Sequence, residues 1–202
     1  ENMRIRVPFV RTADNLADFL QEAPGVGVYD QGTGIQKITI RGISTSLGAN
    51  ENGYYLDDLP FTGVTVPLAP DVRAWDLDRV EILRGPQGTL YGRNTTGGVV
   101  NVITAKADPS EFKGQIDGTV GNYGYTQVRG MVNMPLSDTF AVRAAGMTLQ
   151  RDGFVDNLYT GEDIDDRDMW SGRLSLTWTP SERTEISLMG SYFEEDDSRV
   201  RS

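Results

Sequence analysis

Two hydropathy patterns divide this chain of 202 residues. Up to about residue 107, apolar residues fall in short, unequal clusters broken by glycine- and proline-bearing stretches. Met3–Val10 alternates, with Ile5, Val7 and Phe9 on one face and Arg4 and Arg6 on the other, and reads as a strand. Thr12 caps a helix whose Leu16, Phe19 and Leu20 recur at helical spacing until Pro24-Gly25 ends it. Ile38–Gly42 and Tyr54–Pro60 read as further strands, with polar loops at Ser44–Gly53 and Phe61–Pro70, and Val72–Leu77 reads as a short helical turn. Gly25-Val26-Gly27 opens like a dinucleotide fingerprint, but Asp30 stands where the third glycine belongs, so that reading fails. Val80, Ile82 and Leu83 then form a strand interrupted by Arg79, Glu81 and Arg84, and Gly85-Pro86 stops it. Five glycines lie between Gly85 and Gly98, where the backbone turns repeatedly. Val99–Thr104 is a strand rich in β-branched residues, with Asn101 its only amide.

Near Lys106–Pro109 the pattern changes to alternating segments of roughly ten residues, as expected of a transmembrane β-barrel. They are Phe112–Gly121, Tyr125–Met134, Phe140–Gln150, Ser171–Thr179 and Glu185–Phe193. Short turns at 135–138 and 180–183 alternate with longer polar connections at 152–168 and from 194 onward. Trp178 and Tyr192 fall near opposite ends, where interfacial aromatics belong. A soluble β-sandwich alternates in the same way, so periodicity alone leaves both architectures open.

Composition removes several functions. With no cysteine and no histidine, the chain holds no Ser-His-Asp or Cys-His nucleophile and no imidazole or thiolate metal site. Its net charge of −10 argues against nucleic acid. The acid is uneven: residues 1–107 carry 10 basic and 12 acidic side chains, residues 108–202 carry 9 and 17. No apolar run approaches the length of a spanning helix, and no leader opens the chain, which is taken as mature or truncated. The clusters Glu162–Asp168 and Glu194–Asp197 lack the glycine and distal glutamate of a calcium loop and read as solvated acid.

The run Arg79-Val-Glu-Ile-Leu-Arg-Gly-Pro86, then Leu90-Tyr-Gly92, then Gly97-Gly-Val-Val-Asn-Val-Ile-Thr104 resembles the plug signature of the TonB-dependent outer-membrane receptors. An Ile-Arg-Gly strand at 40–42 and a Tyr-x-Asp-Asp hairpin at 55–58 resemble the same plug, with Thr95-Thr96 a small departure from the usual alanine. The resemblance implies an α+β plug domain at 1–107, followed at 108–202 by the first antiparallel strands of a transmembrane β-barrel of about 22 strands. It also implies TonB-dependent uptake of a scarce nutrient, most often a ferric siderophore. The partners implied are TonB with its inner-membrane energising complex, a small-molecule substrate and outer-membrane lipid. No cofactor and no catalysis are expected, and the acidic-apolar segment that TonB grips is expected upstream of Glu1.

On the same resemblance, Arg41 and Arg84, with Arg79 and Glu81 beside them, anchor the plug to glutamates on the barrel wall beyond residue 202. The alternative is a solvated ion pair within the plug. Gln31, Asn50, Glu51, Asn52 and Thr62 fall in polar loops that resemble the plug apices facing the substrate, although each is more simply an exposed loop residue. A receptor for a carbohydrate, cobalamin or another non-iron solute remains open, as does a soluble β-rich binding or adhesion module. An enzyme is the weakest reading, since only carboxylates remain for chemistry and none forms a recognisable pair.

Overall fold

A computed structural model describes residues 3–6, 20, 23–30, 36–43, 52–60, 75–92, 95–159, 161, 163–196 and 198. The chain divides into two compact units, residues 1–105 and 106–200.

The first unit is built on β1 (Met3–Arg6), β2 (Val26–Asp30), β3 (Gln36–Ile40), β4 (Asn52–Leu56), β5 (Leu59–Pro60), β6 (Leu77–Arg84), a single helical turn α1 (Gly88–Tyr91) and β7 (Gly98–Thr104). Five strands form one mixed sheet in the order β1-β6-β7-β4-β5, and β2 and β3 form a separate hairpin. β7 is the sheet's centre, antiparallel to β6 and parallel to β4, and all seven of its residues are buried. A strand covered on both faces needs apolar residues without alternation, which is why Val99-Val100 and Val102-Ile103 run almost unbroken. Val80, Ile82, Val100 and Val102 pack with Leu20, Ile38, Ile40 and Tyr54 in the core. Each such side chain contributes about 1.5–3 kcal/mol by leaving water.

Gly97 and Gly98 explain part of the glycine run. A Cβ on Gly98 would stand 2.5 Å from the Leu83 carbonyl oxygen, and one on Gly97 would stand 2.2 Å from Asn52 Oδ1. Strands β4, β6 and β7 meet there too closely for any side chain.

Several expectations are corrected. β6 begins at Leu77, so the helical turn expected over 72–77 does not include that residue, and the adjoining Asp76 is a bend with positive φ. The stretch 85–98 holds the helical turn α1 among its glycines, which local glycine content conceals. The first expected strand is described only as β1, and the Thr12 helix lies outside the described residues apart from Leu20.

The second unit is a five-stranded antiparallel meander of β8 (Lys113–Val120), β9 (Thr126–Ser137), β10 (Phe140–Arg151), β13 (Arg167–Ser181) and β14 (Thr184–Glu195). A small ribbon of β11 (Val155–Asp156) and β12 (Asp163–Ile164) occupies the connection between β10 and β13. The strands run through Pro135 and Pro180, which were expected to lie in turns. The ladder slips beside both prolines, between Phe140 and Ala141 and between Trp178 and Ser181. A residue without an N–H is accommodated at such irregularities. The turns left between strands, at 138–139 and 182–183, are therefore tighter than expected.

The polarity of this sheet is inverted relative to a soluble one. On one face lie Ile116, Val128, Val142, Leu174, Leu176, Trp178, Ile186 and Leu188; Ile116 is 79% exposed and Leu188 66%. The opposite face presents Asp117, Gln127, Arg129, Asn133, Arg143, Ser175 and Thr177, with the buried Met131, Met147, Leu149 and Met169 interspersed; Gln127 and Asn133 are 2% and 1% exposed. Water would select the reverse arrangement, whereas lipid outside and a polar lumen inside select this one. Trp170 stacks on Tyr192 at 4.8 Å, and both donate hydrogen bonds to Glu194. Trp178 marks the other end of the same strand. Eight residues of strand span about 27 Å, and a tilt of 35–45° leaves a height of about 20 Å, near the apolar band of an outer-membrane barrel. Among the described residues no helix is long and apolar enough to cross a membrane, which says nothing of a barrel.

Leu174→Arg is expected to cost about 2–4 kcal/mol in unfolding from lipid vesicles, because the charge enters the apolar band. The same substitution at Gln115, on the polar face, is expected to cost under about 1 kcal/mol. Equal effects at the two sites would place water on both faces.

Candidate functional site

The first unit carries its polar chemistry in three groups. One is the turn between β4 and β5. Asp57 and Asp58 both have positive φ, 49° and 65°, the backbone of a two-residue hairpin that ordinarily selects asparagine or glycine. Two aspartates in this conformation cost about 1–2 kcal/mol each. Their side chains offset that cost against β7. The Asp57 carboxylate accepts from the Thr104 amide at 2.8 Å and from its hydroxyl at 2.9 Å, while the Asp57 amide donates to Val102 O at 2.9 Å. Asn101 Nδ2 donates to Asp58 Oδ1 at 2.6 Å, and its Oδ1 accepts from the Asp58 amide at 3.3 Å. Sequence reasoning missed this clamp. Its signal was Asn101, a lone amide in a buried apolar strand that must find a partner.

Beside it, the Tyr55 hydroxyl donates to the Tyr91 carbonyl at 2.5 Å and the two rings meet edge to face at 4.8 Å. Burial raises both phenols above their ordinary pKa, and Asp58 and Glu81 raise Tyr91 further, so both stay neutral.

The second group lies on β6. Arg79 Nε meets Glu81 Oε1 at 2.9 Å, and an Arg79 terminal nitrogen meets Asp78. Hydrogen bonds donated by Arg79 to Glu81 and then to Asp78 raise the guanidinium's pKa, fixing its charge. Arg79 and Glu81 thus pair within the first unit. In the register of the sheet they stand opposite Arg6 and Arg4 of β1.

The third group is formed by the remaining predicted anchors. The Arg41 amide donates to Gly25 O at 2.7 Å, and Arg84 Nη1 donates to Pro24 O at 3.0 Å. Both arginines therefore converge on one turn, though 43 positions separate them in sequence. Arg41 holds φ 53° and is exposed.

Asn52 does not occupy a loop apex. It opens β4, is 5% exposed, and its Nδ2 donates to Ile38 O and Ile43 O, both at 2.8 Å. Both amide hydrogens are spent on the hairpin's backbone, so its expected role toward substrate is withdrawn. Gln31, Asn50, Glu51 and Thr62 lie outside the described residues.

Among the described residues no group of three acidic side chains is arranged to hold a metal. Within the 163–168 cluster, Asp165 binds Arg151 Nη2 at 3.2 Å, and Arg151 lies 4.7 Å from the Phe154 ring centroid. These arrangements hold chain to chain. None pairs a nucleophile with a base.

A mixed sheet followed in the chain by an inverted-polarity antiparallel sheet defines the class: an outer-membrane β-barrel protein with an α+β domain before its wall strands. Residues 10–99 match the TonB-dependent Receptor Plug Domain. The ferrioxamine B receptor of Salmonella typhimurium is 31% identical over 81% of this chain and 23% of its own length. The vitamin B12 transporter BtuB of Photobacterium profundum is 28% identical over 90% of this chain and 30% of its own. The solved structure of the ferric yersiniabactin uptake receptor FyuA from Yersinia pestis superposes with a TM-score of 0.78, at 24% identity, over 95% of this chain and 31% of that one. The chain spans about a fifth to a third of the length of these proteins. It belongs to the TonB-dependent receptors of the bacterial outer membrane, a family of transport receptors and not of enzymes.

Asp57→Ala is expected to lower stability by about 2 kcal/mol, since Thr104 is 4% exposed and its buried amide and hydroxyl would lose the Asp57 carboxylate. Thermal unfolding of the full-length receptor, with an exposed Glu182→Ala control in the turn at 182–183, measures it.

Proposed function

We propose that this chain is the plug, residues 1–107, and the first barrel strands, residues 108–202, of an active importer of a scarce nutrient, most often a ferric siderophore. The observation that carries the reading is the inverted second sheet: a wall apolar outside and polar inside makes a lumen, and a lumen of this family is closed by a plug. Iron is favoured by likeness to a ferrioxamine B receptor and to a ferric yersiniabactin receptor. Likeness to a vitamin B12 transporter keeps cobalamin as the second reading.

TonB, driven from the inner membrane, pulls the plug's N-terminal side after substrate binds on the apices, where Gln31, Asn50, Glu51 and Thr62 are assigned to contact it. Arg41 and Arg84 are assigned to hold the plug against wall carboxylates. A planar guanidinium forms two parallel bonds with a carboxylate, directional and yet separable once water enters. An apolar seat of equal area would resist sliding throughout its length.

Cells producing the full-length receptor are expected to accumulate radiolabelled ferric siderophore only when TonB is energised, and to ignore labelled cobalamin. Preference for cobalamin would reverse the ranking. The double variant Arg41→Ala/Arg84→Ala is expected to lose at least tenfold in uptake rate while retaining surface binding. Unchanged uptake would remove the anchoring role.

A further inference from the structure

The segment joining the two units is bound to the second sheet chiefly by one buried side chain. Asn133 of β9, 1% exposed, accepts from the Asp108 amide at 2.9 Å through Oδ1. Its Nδ2 donates to Asp108 O at 2.8 Å and to Glu111 O at 2.6 Å. Donors and acceptor are thus all spent on the backbone of a segment outside any strand. That segment is shaped to receive them. Asp108 accepts from the Ser110 amide at 2.8 Å and the Ser110 hydroxyl at 2.6 Å, and Pro109 fixes φ between them. These bonds, helped by Arg143, hold the Asp108 carboxyl below its usual pKa, and Ala107 beside it is buried.

Upstream, Lys106 Nζ meets Glu185 Oε1 of β14 at 2.6 Å. The order β14-β13-β10-β9-β8 puts β14 and β8 at opposite edges of the sheet. The Lys106 side chain and the segment together therefore bridge the sheet's width, four strand spacings or about 19 Å, which seven residues reaching about 24 Å can span. The exposed lysine–glutamate pair contributes little alone. Asn133 is different, because its three bonds are shielded from water and bear on two points of the strap at once.

We propose that Asn133 is a mechanical stop: tension on the chain upstream of Lys106 ends at the Asp108–Glu111 strap and does not reach β8. Without the stop, a pull through residue 112 would open the β8–β9 ladder one pair at a time from Lys113. With it, the two bonds at Asp108 and then the one at Glu111 must fail before the first wall strand is loaded. The need for a stop rests on the reading that the plug is pulled, but its existence does not.

The test is force spectroscopy on the full-length receptor in lipid, drawn by its N-terminus. The instrument supplies the force, so neither TonB nor substrate enters, and failure of the transport reading leaves this result intact. Wild type is expected to stop extending at the strap. Asn133→Ala is expected to yield five further residues, 108–112, or about 17 Å, before the wall resists. Asn133→Asp, which loses both donors, should give the same gain. Equal final lengths in wild type and variants would overturn the stop. Hydrogen exchange on the unaltered receptor tests the anchor without a variant. The Asp108 amide should be protected within about tenfold of the β9 ladder amides, and exchange at the rate of an open loop would overturn it.

Discussion

Lipid offers the backbone no hydrogen bonds, and that one constraint shapes the second unit. Each strand must satisfy its peptide groups on its neighbours, so the chain spends residues 113–195 on long antiparallel ladders joined, at one end, by two-residue turns. The outward face then has no reason to be polar and the inward face has no lipid to meet. Leu174, Leu176 and Leu188 point one way while Arg129, Asn133 and Arg143 point the other, and the same alternation that builds a soluble sheet builds here a wall with its polarity reversed.

The first unit is organised on different terms. Apolar packing holds the first unit together internally, around a buried β7, and the one charged side chain buried on β6, Glu81, is paired with Arg79. The Arg79 and Arg84 charges are held in position by directional bonds, to Glu81 and to Pro24 O, while Arg41 is tied to the Pro24–Gly25 turn through its backbone amide. Directional bonds exchange with water under tension, and buried methyl groups do not.

The hairpin at Asp57-Asp58 illustrates the cost of holding polar groups at a fixed place. Two left-handed aspartates are less stable than an Asn-Gly turn would be, yet neither residue of that pair could offer both carboxylates to Thr104 and Asn101. Local strain is exchanged for a tie between sequence-distant strands. The Asn133 strap follows the same rule on the second unit, where one amide replaces a strand's worth of ladder bonds in fixing a short irregular segment.

Much of this was legible in the residues. The change of period near Lys106, the five alternating segments and the aromatic positions all follow from side chains that must face either lipid or lumen, and that choice repeats every second residue. The buried β7 announced itself by its β-branched run. What the chain alone did not disclose depends on partners far apart in sequence. Asn52 reads as one more polar loop residue until Ile38 and Ile43 are seen to claim its amide. Pro135 and Pro180 read as turn residues until the slipped register absorbs them inside strands. Asn133 reads as one lumen-facing amide in an alternating strand, and only the fold brings Asp108 and Glu111 to it. Periodicity is written locally because water and lipid act on each residue in turn, whereas a hydrogen bond's partner is chosen by the path of the whole backbone.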